Sequence, residues 1–198
     1  MDRTRDKEVV ILMGSPRKKG NTELVCSAVT DGIEAAGAGV TLIRLSEQSI
    51  KPCLGCGGCE RDGRCVIKDD MQQLYPLLDH AYAVIIASPI YFYGVTAQTK
   101  LFIDRTQALW SRKYVLGRKR DENQGHSCHG YFISVAATRG KQVFDGAELT
   151  VRYCFDAMDI PYGGKLVFPG IDQRGALANS PEKLEQARIF GCQVIQDQ

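Results

Sequence analysis

Short apolar runs bounded by turn residues alternate along this chain with longer segments of helical period. That is the pattern of a parallel sheet whose strands are covered on both faces by helices. Residues 8–14 (EVVILMG) read as a buried first strand, and residues 21–37 as a helix with Leu24, Val25, Ala28, Val29 and Ile33 on one face and Gly37 at its end. Strands are expected at 40–45 (VTLIRL), 82–88 (YAVIIAS), 130–137 (GYFISVAA) and 165–170 (KLVFPG). Between them, Asp69 or Asp70 is placed to cap a helix carrying Met71, Leu74, Leu77 and Leu78, interrupted by Pro76. Residues 96–110 and 143–158 read as further helices, and Ser180 before Pro181 marks the start of a last one. Residues 111–129 are polar and read as a surface excursion. The class is α/β, a doubly wound five-stranded parallel sheet of order 2-1-3-4-5.

Composition adds little to the fold but narrows the function. The 198 residues are 44% hydrophobic and 24% charged, proportions of one globular domain spanning 1–198. A formal net charge of +2, with basic residues spread along the chain, does not point to nucleic acid; the basic run RKYVLGRKR (112–120) reads first as a solvated face. The apolar run near the N-terminus is too short for a signal core, and no later run reaches membrane-spanning length, so a cytoplasmic protein without a membrane partner is expected. In a reducing compartment, eight cysteines with four between positions 53 and 65 read as metal or redox chemistry rather than a disulfide framework.

In an open parallel sheet the ligand lies at the carboxyl ends of the strands. The first such loop here is GSPRKKGNT, residues 14–22. It leads from Gly14 through Gly20 into a helix N-terminus, where free N–H groups favour an anion; Ser15, Asn21 and Thr22 add neutral donors and Arg17 a charged fork. The spacing fits neither a P-loop nor a dinucleotide fingerprint, which makes a single terminal phosphate the better expectation. The loop after the third strand, SPIYFYGVTAQTK (88–100), offers Pro89 and Ile90 to shape the backbone, Tyr91, Phe92 and Tyr93 as ring partners, and Gly94 for close approach. Thr138 and Gly140, after the fourth strand, are placed to hydrogen-bond a polar ring edge. A phosphate at one strand end and a flat ring at the next describe flavin mononucleotide (FMN).

With GSPRKKGNT, CLGCGGCERDGRC, IKDDM and SPIYFYGVTAQTK together, the chain resembles the NADPH-dependent FMN reductase superfamily of flavodoxin-like fold, and within it the iron–sulfur flavoproteins. The resemblance is specific from residue 8 to about 108. It implies that Ser15, Arg17, Asn21 and Thr22 hold the FMN phosphate, that Pro89, Ile90, Tyr91, Phe92 and Thr138 line the isoalloxazine, and that Cys53, Cys56, Cys59 and Cys65 hold one 4Fe-4S cluster. The spacing C-x2-C-x2-C-x5-C is compatible with that: three thiolates at x2 intervals wrap three corners of a cubane, and Cys65 folds back to the fourth. Gly55, Gly57, Gly58 and Gly63 permit the bends. Zinc, which more often takes two separated C-x2-C pairs, and four unmetallated thiols stay open as alternatives. Cys26, Cys154 and Cys192 fall in helical segments as small hydrophobes, and His126, Cys128 and His129 are too tightly spaced for an ordinary metal site.

The cofactors carry the chemistry, so no side chain is singled out as catalytic. One reading is an electron carrier that takes single electrons from a donor such as ferredoxin, docked on the basic run, and delivers them through cluster and FMN to an acceptor. Another is an NAD(P)H-dependent reductase of free flavin, a quinone, a metal or another small acceptor, whose cysteine loop carries no cluster. A third is a noncatalytic redox sensor. The cysteine loop follows the second strand and is expected on the same sheet edge as the FMN, with a homodimer or homotetramer bringing cluster and flavin of different subunits together.

Overall fold

In this computed structural model, residues 7–120 and 127–196 are described. The strands β1 (Glu8–Met13), β2 (Gly39–Arg44), β3 (Ala83–Ala87), β4 (His129–Ala136) and β5 (Tyr162–Pro169) form one parallel sheet of order β2-β1-β3-β4-β5. β1 and β3 lie inside the sheet and are buried from Val9 to Met13 and from Ala83 to Ala87, which is why they read as unbroken apolar runs rather than alternating ones. Alternate side chains feed two cores. Val10, Leu12, Val84, Ile86 and Phe132 pack under α2 (Met71–His80), α3 (Ala97–Arg105), α4 (Gln107–Trp110) and α5 (Asp145–Ala157). Val9, Ile11, Met13, Ile85 and Ile133 pack under α1 (Asn21–Ala35) and α6 (Pro181–Gln196).

Three departures from the expected elements bear on the site. The helix expected over 96–110 is broken at Thr106, whose N–H and hydroxyl both turn back to the Ile103 carbonyl, at 3.0 and 2.7 Å. After α4 the chain makes a π-helical turn, Ser111–Val115, closed by Leu116 N–H on the Ser111 carbonyl, where a plain surface excursion was expected. β5 begins three residues early because Gly163 and Gly164, which resemble a turn in sequence, lie within the strand. A Cβ on Gly163 would stand 2.7 Å from the Tyr131 ring, and the register of β4 with β5 shifts at Gly130/Tyr131.

At the start of α2 the two acidic candidates divide the work. Asp69 accepts the Met71 N–H at 3.1 Å, while Asp70 accepts the Ser49 N–H at 2.6 Å and so ties the two ends of the cysteine loop. Cys26, Cys128 and Cys154 are buried; Cys192 is half-buried, its thiol donating to the Gly32 carbonyl at 3.3 Å. His126 lies outside the described residues. Among the described residues no helix is long and apolar enough to cross a membrane.

Candidate functional site

The carboxyl ends of β1, β3 and β4 surround a hollow of about 120 Å3. Ser15, Arg17, Gly20, Asn21, Thr22, Pro89, Ile90 and Tyr91 line it, as does Arg174 from beyond β5. α1 opens onto it, and the first N–H groups of a helix have no carbonyl ahead of them. Gly20 is the N-cap, and a Cβ there would press to 3.1 Å on the Arg17 carbonyl, so the cradle is close-fitting. Glu23, one turn in, reaches back to the Lys19 N–H at 2.6 Å in the manner of a capping box and also pairs with Arg44. The loop is anchored from the opposite side by buried polar groups: Thr96 donates to the Gly14 carbonyl at 2.7 Å and Ser134 to the Ser88 carbonyl at 2.7 Å. These backbone donors, the Arg17 guanidinium and the flanking Tyr91 fit a phosphate and a ring, so the hollow suits FMN.

Asn21 has a different role from the one its position implied. Its Nδ2 donates to the Gln173 carbonyl at 2.7 Å and its Oδ1 accepts the Leu177 N–H at 3.2 Å. The side chain is spent on clamping the loop after β5, and what it can offer an anion is its backbone N–H. That loop brings Ile171, Asp172 and Arg174 into the lining. No motif in the sequence marks these three residues, and their one signal is a place after the fifth strand on this edge.

Phe92, Gly94, Thr138 and Gly140 do not line the hollow. Tyr91 and Gly94 exchange two backbone hydrogen bonds, 2.9 and 3.0 Å, around Phe92 (φ 49°) and Tyr93 (φ 61°). Both central residues are left-handed, so this is a type I′ turn built from two aromatics where asparagine and glycine are the usual occupants. Phe92 is fully exposed at its tip. Tyr93 leans toward the β4–α5 connection, and a Cβ on Gly140 would lie 3.3 Å from its hydroxyl. The Thr138 carbonyl accepts the Gly170 N–H at 3.2 Å.

The four clustered cysteines do come together. Cys53, Cys56, Cys59 and Cys65 line one hollow of about 110 Å3, walled on its inner side by Arg105, Gln107 and Ala108. Among the described residues, no three Cys, His, Asp or Glu side chains are close enough to share one metal ion. Four thiols lining one hollow suit a four-iron core, which takes one cysteine sulfur at each iron. Left-handed Gly55 (φ 61°) and Gly57 (φ 69°) supply the bends.

The inner wall was not legible as part of the site. Arg105, 1% exposed, forms an ion pair with Asp69 and sets Nη2 3.4 Å from Cys65 Sγ. The π-helical turn brings the Ser111 hydroxyl to 3.3 Å from Cys59 Sγ and lets Arg112 Nε donate to the Gly63 carbonyl at 3.1 Å. Burial pushes the Asp69 carboxyl up, but Arg105 and the N–H groups of Lys51 and Met71 outweigh it and hold the group below the ordinary carboxylate value. α3 starts at the FMN edge and runs back along the sheet. Arg105 is its ninth residue, roughly 12 Å along the axis at 1.5 Å per residue. The thiol hollow therefore sits on the helical flank of the sheet, displaced from the edge where it was expected.

The basic run is also engaged within the fold. Arg112 pairs with Asp79, Lys113 with Asp156 and Asp159, Arg118 donates to the Asp62 carbonyl, and Arg120 to the carbonyls of Leu78 and Ala81. Two of these arginines, 112 and 118, brace the cysteine loop from outside.

Residues 8–162 match the family model for NADPH-dependent FMN reductase. Two iron–sulfur flavoproteins of Archaeoglobus fulgidus are 40% identical over 111 residues (56% of this chain, 50% of the relative) and 37% identical over 144 residues (73% and 67%). One from Methanocaldococcus jannaschii is 36% identical over 102 residues, so the chain matches about half the length of the first and third of these relatives. In fold, it resembles an NAD(P)H:quinone oxidoreductase from Methanothermobacter marburgensis, with a TM-score of 0.70 at 16% identity over 94% of each chain. The flavodoxin-like sheet and the matched sequence together show that this chain belongs to the NADPH-dependent FMN reductase family, among the iron–sulfur flavoproteins.

Proposed function

We propose that this chain is an FMN-dependent oxidoreductase that takes electrons one at a time through a 4Fe-4S cluster on Cys53, Cys56, Cys59 and Cys65 and delivers them by way of FMN to a small-molecule acceptor. The observation that carries the reading is the pairing, in one chain, of a cradle suited to a phosphate and ring with a second hollow lined by four thiols. When bound, FMN exchanges one or two electrons and the cluster one at a time.

The chain's own groups bind, orient and shield. The α1 N-terminus, Ser15, Arg17 and Thr22 hold the phosphate, while Pro89, Ile90 and Tyr91 wall the ring. The inner side of the thiol hollow is closed by Arg105 and the α3–α4 segment, and its outer side carries the exposed Leu54, Cys56 and Val66. That outer side is the contact we assign to a donor such as ferredoxin. The basic run, its charges largely engaged within the fold, is secondary. A homodimer or homotetramer would let the cluster on the flank of one subunit face the FMN edge of another.

Family membership favours a second reading, direct reduction of FMN by NAD(P)H. Stopped-flow reduction of the anaerobic protein by NADPH and by reduced ferredoxin separates the two. The proposal predicts rapid FMN reduction by ferredoxin that is abolished by Cys59→Ala, with FMN still bound. Equal ferredoxin rates in wild type and Cys59→Ala would refute it.

A further inference from the structure

Arg105 is a large charged side chain carried fully into the core behind the thiol hollow. Burying a guanidinium is unfavourable unless its donors are met. Nη1 donates to Asp69 Oδ2 at 2.5 Å and to the Lys51 carbonyl at 2.9 Å; Nη2 reaches Asp69 Oδ1 at 3.1 Å, Cys65 Sγ at 3.4 Å and the Ile67 carbonyl at 3.5 Å. Lys51 and Ile67 stand two residues before Cys53 and two after Cys65, so one side chain clasps both flanks of the cysteine loop as well as one thiol. Nε is buried and has no acceptor among the described residues. An unmet buried donor is costly, and protein contacts alone do not explain this one.

We propose that Arg105 is a positioning residue for the cluster. It donates to the Cys65 sulfur, keeps its remaining buried N–H for an inorganic sulfide, and thereby raises the cluster's reduction potential. The inference rests on the four-iron reading of the hollow. Reduction adds negative charge to the sulfurs, and N–H donors aimed at them stabilise the reduced state more than the oxidised one. Asp69 partly cancels the guanidinium charge, so the two residues should act on the potential with opposite signs.

The test is an anaerobic redox titration of the holoprotein, following the cluster by electron paramagnetic resonance and FMN by absorbance, for wild type, Arg105→Lys and Asp69→Asn. Arg105→Lys keeps the charge but loses the planar fork. Its cluster should become about tenfold harder to reduce, about 59 mV more negative for one electron, with the FMN potential unchanged. Asp69→Asn keeps the donors, removes the compensating carboxylate and should move the cluster to a more positive potential. Unchanged cluster potentials, or shifts of the same sign in both variants, would show that Arg105 only holds the loop. Should Arg105→Lys fail to retain its cluster, the sign of the Asp69→Asn shift decides alone. Wild-type protein without iron and sulfide after anaerobic reconstitution overturns the cluster reading itself, a failure told apart because no variant is involved.

Discussion

The turn at Tyr91–Gly94 makes a quantitative claim about strain at the FMN edge. Phe92 and Tyr93 both sit in the left-handed region, which costs an L-residue about 1–2 kcal/mol each. Replacing them together by the pair a type I′ turn prefers, Phe92→Asn with Tyr93→Gly, relieves most of that. The new glycine returns about 0.5–1 kcal/mol through the unfolded chain. Losing the Tyr93 packing against the β4–α5 connection takes a further share, whereas Phe92 is fully exposed and takes nothing. The net expectation for FMN-free protein is a gain of about 1 kcal/mol, or a Tm higher by about 2–4 °C at this chain length. Melting by circular dichroism with and without FMN gives both quantities needed. The FMN-free variant should melt above wild type, and the further rise on adding FMN should match that of wild type, because neither side chain lines the hollow and Tyr91 stays in place. An FMN-free variant that melts at or below wild type would refute the idea that this turn is strained.

Other perturbations have signs set by particular contacts. Gly32→Ala should destabilise: alanine ordinarily gains about 1 kcal/mol in a helix, but here its Cβ runs into the Arg188 carbonyl of α6. Overpacking of about 1–3 kcal/mol wins, and the urea midpoint should fall; a midpoint at or above wild type contradicts the close α1–α6 crossing. The hydrogen bond from Arg44 holds Glu23 below the ordinary carboxylate value, and burial opposes it only in part. A depressed carboxyl contributes stability that is complete above its unfolded value near 4.5 and is lost as pH falls through its folded value. Arg44→Gln should therefore flatten the acid limb of the stability curve below about pH 4.5, and an unchanged limb counts against the pair. In metal-free protein at pH 8, the four loop cysteines and Cys192 should react promptly with a thiol reagent, while Cys26 and Cys154, pushed to about 12 by burial, and Cys128, pushed to about 11, lag far behind. Equal rates at all eight would refute that division.

Much of the fold was legible because its signals are local. β1 and β3 announced themselves as uninterrupted apolar runs, the glycine loop by its place between strand and helix, and the cysteine loop by its crowding of four thiols together with the family resemblance. What stayed hidden depends on contacts across long stretches of sequence. Arg105 and Ser111 lie 40 or more residues from the cysteines they touch, and one of them read simply as a helical residue. The break at Thr106 and the π-helical turn that present them have no strong propensity signature. Asn21 looked like a phosphate ligand because nothing near it in sequence competes for its side chain; its partners are more than 150 residues away. Phe92 reads as a ring partner from the aromatic run after β3 and from the family resemblance, but backbone geometry turns it outward.

The central claim is that one chain holds an FMN and a four-iron cluster in two separate hollows. Iron, acid-labile sulfide, zinc and flavin measured on protein purified without oxygen test it most directly. The account predicts about four irons and four sulfides for each FMN in wild type, and FMN without iron in Cys59→Ala. FMN accompanied by zinc, or by neither iron nor sulfide, in wild-type protein would contradict it.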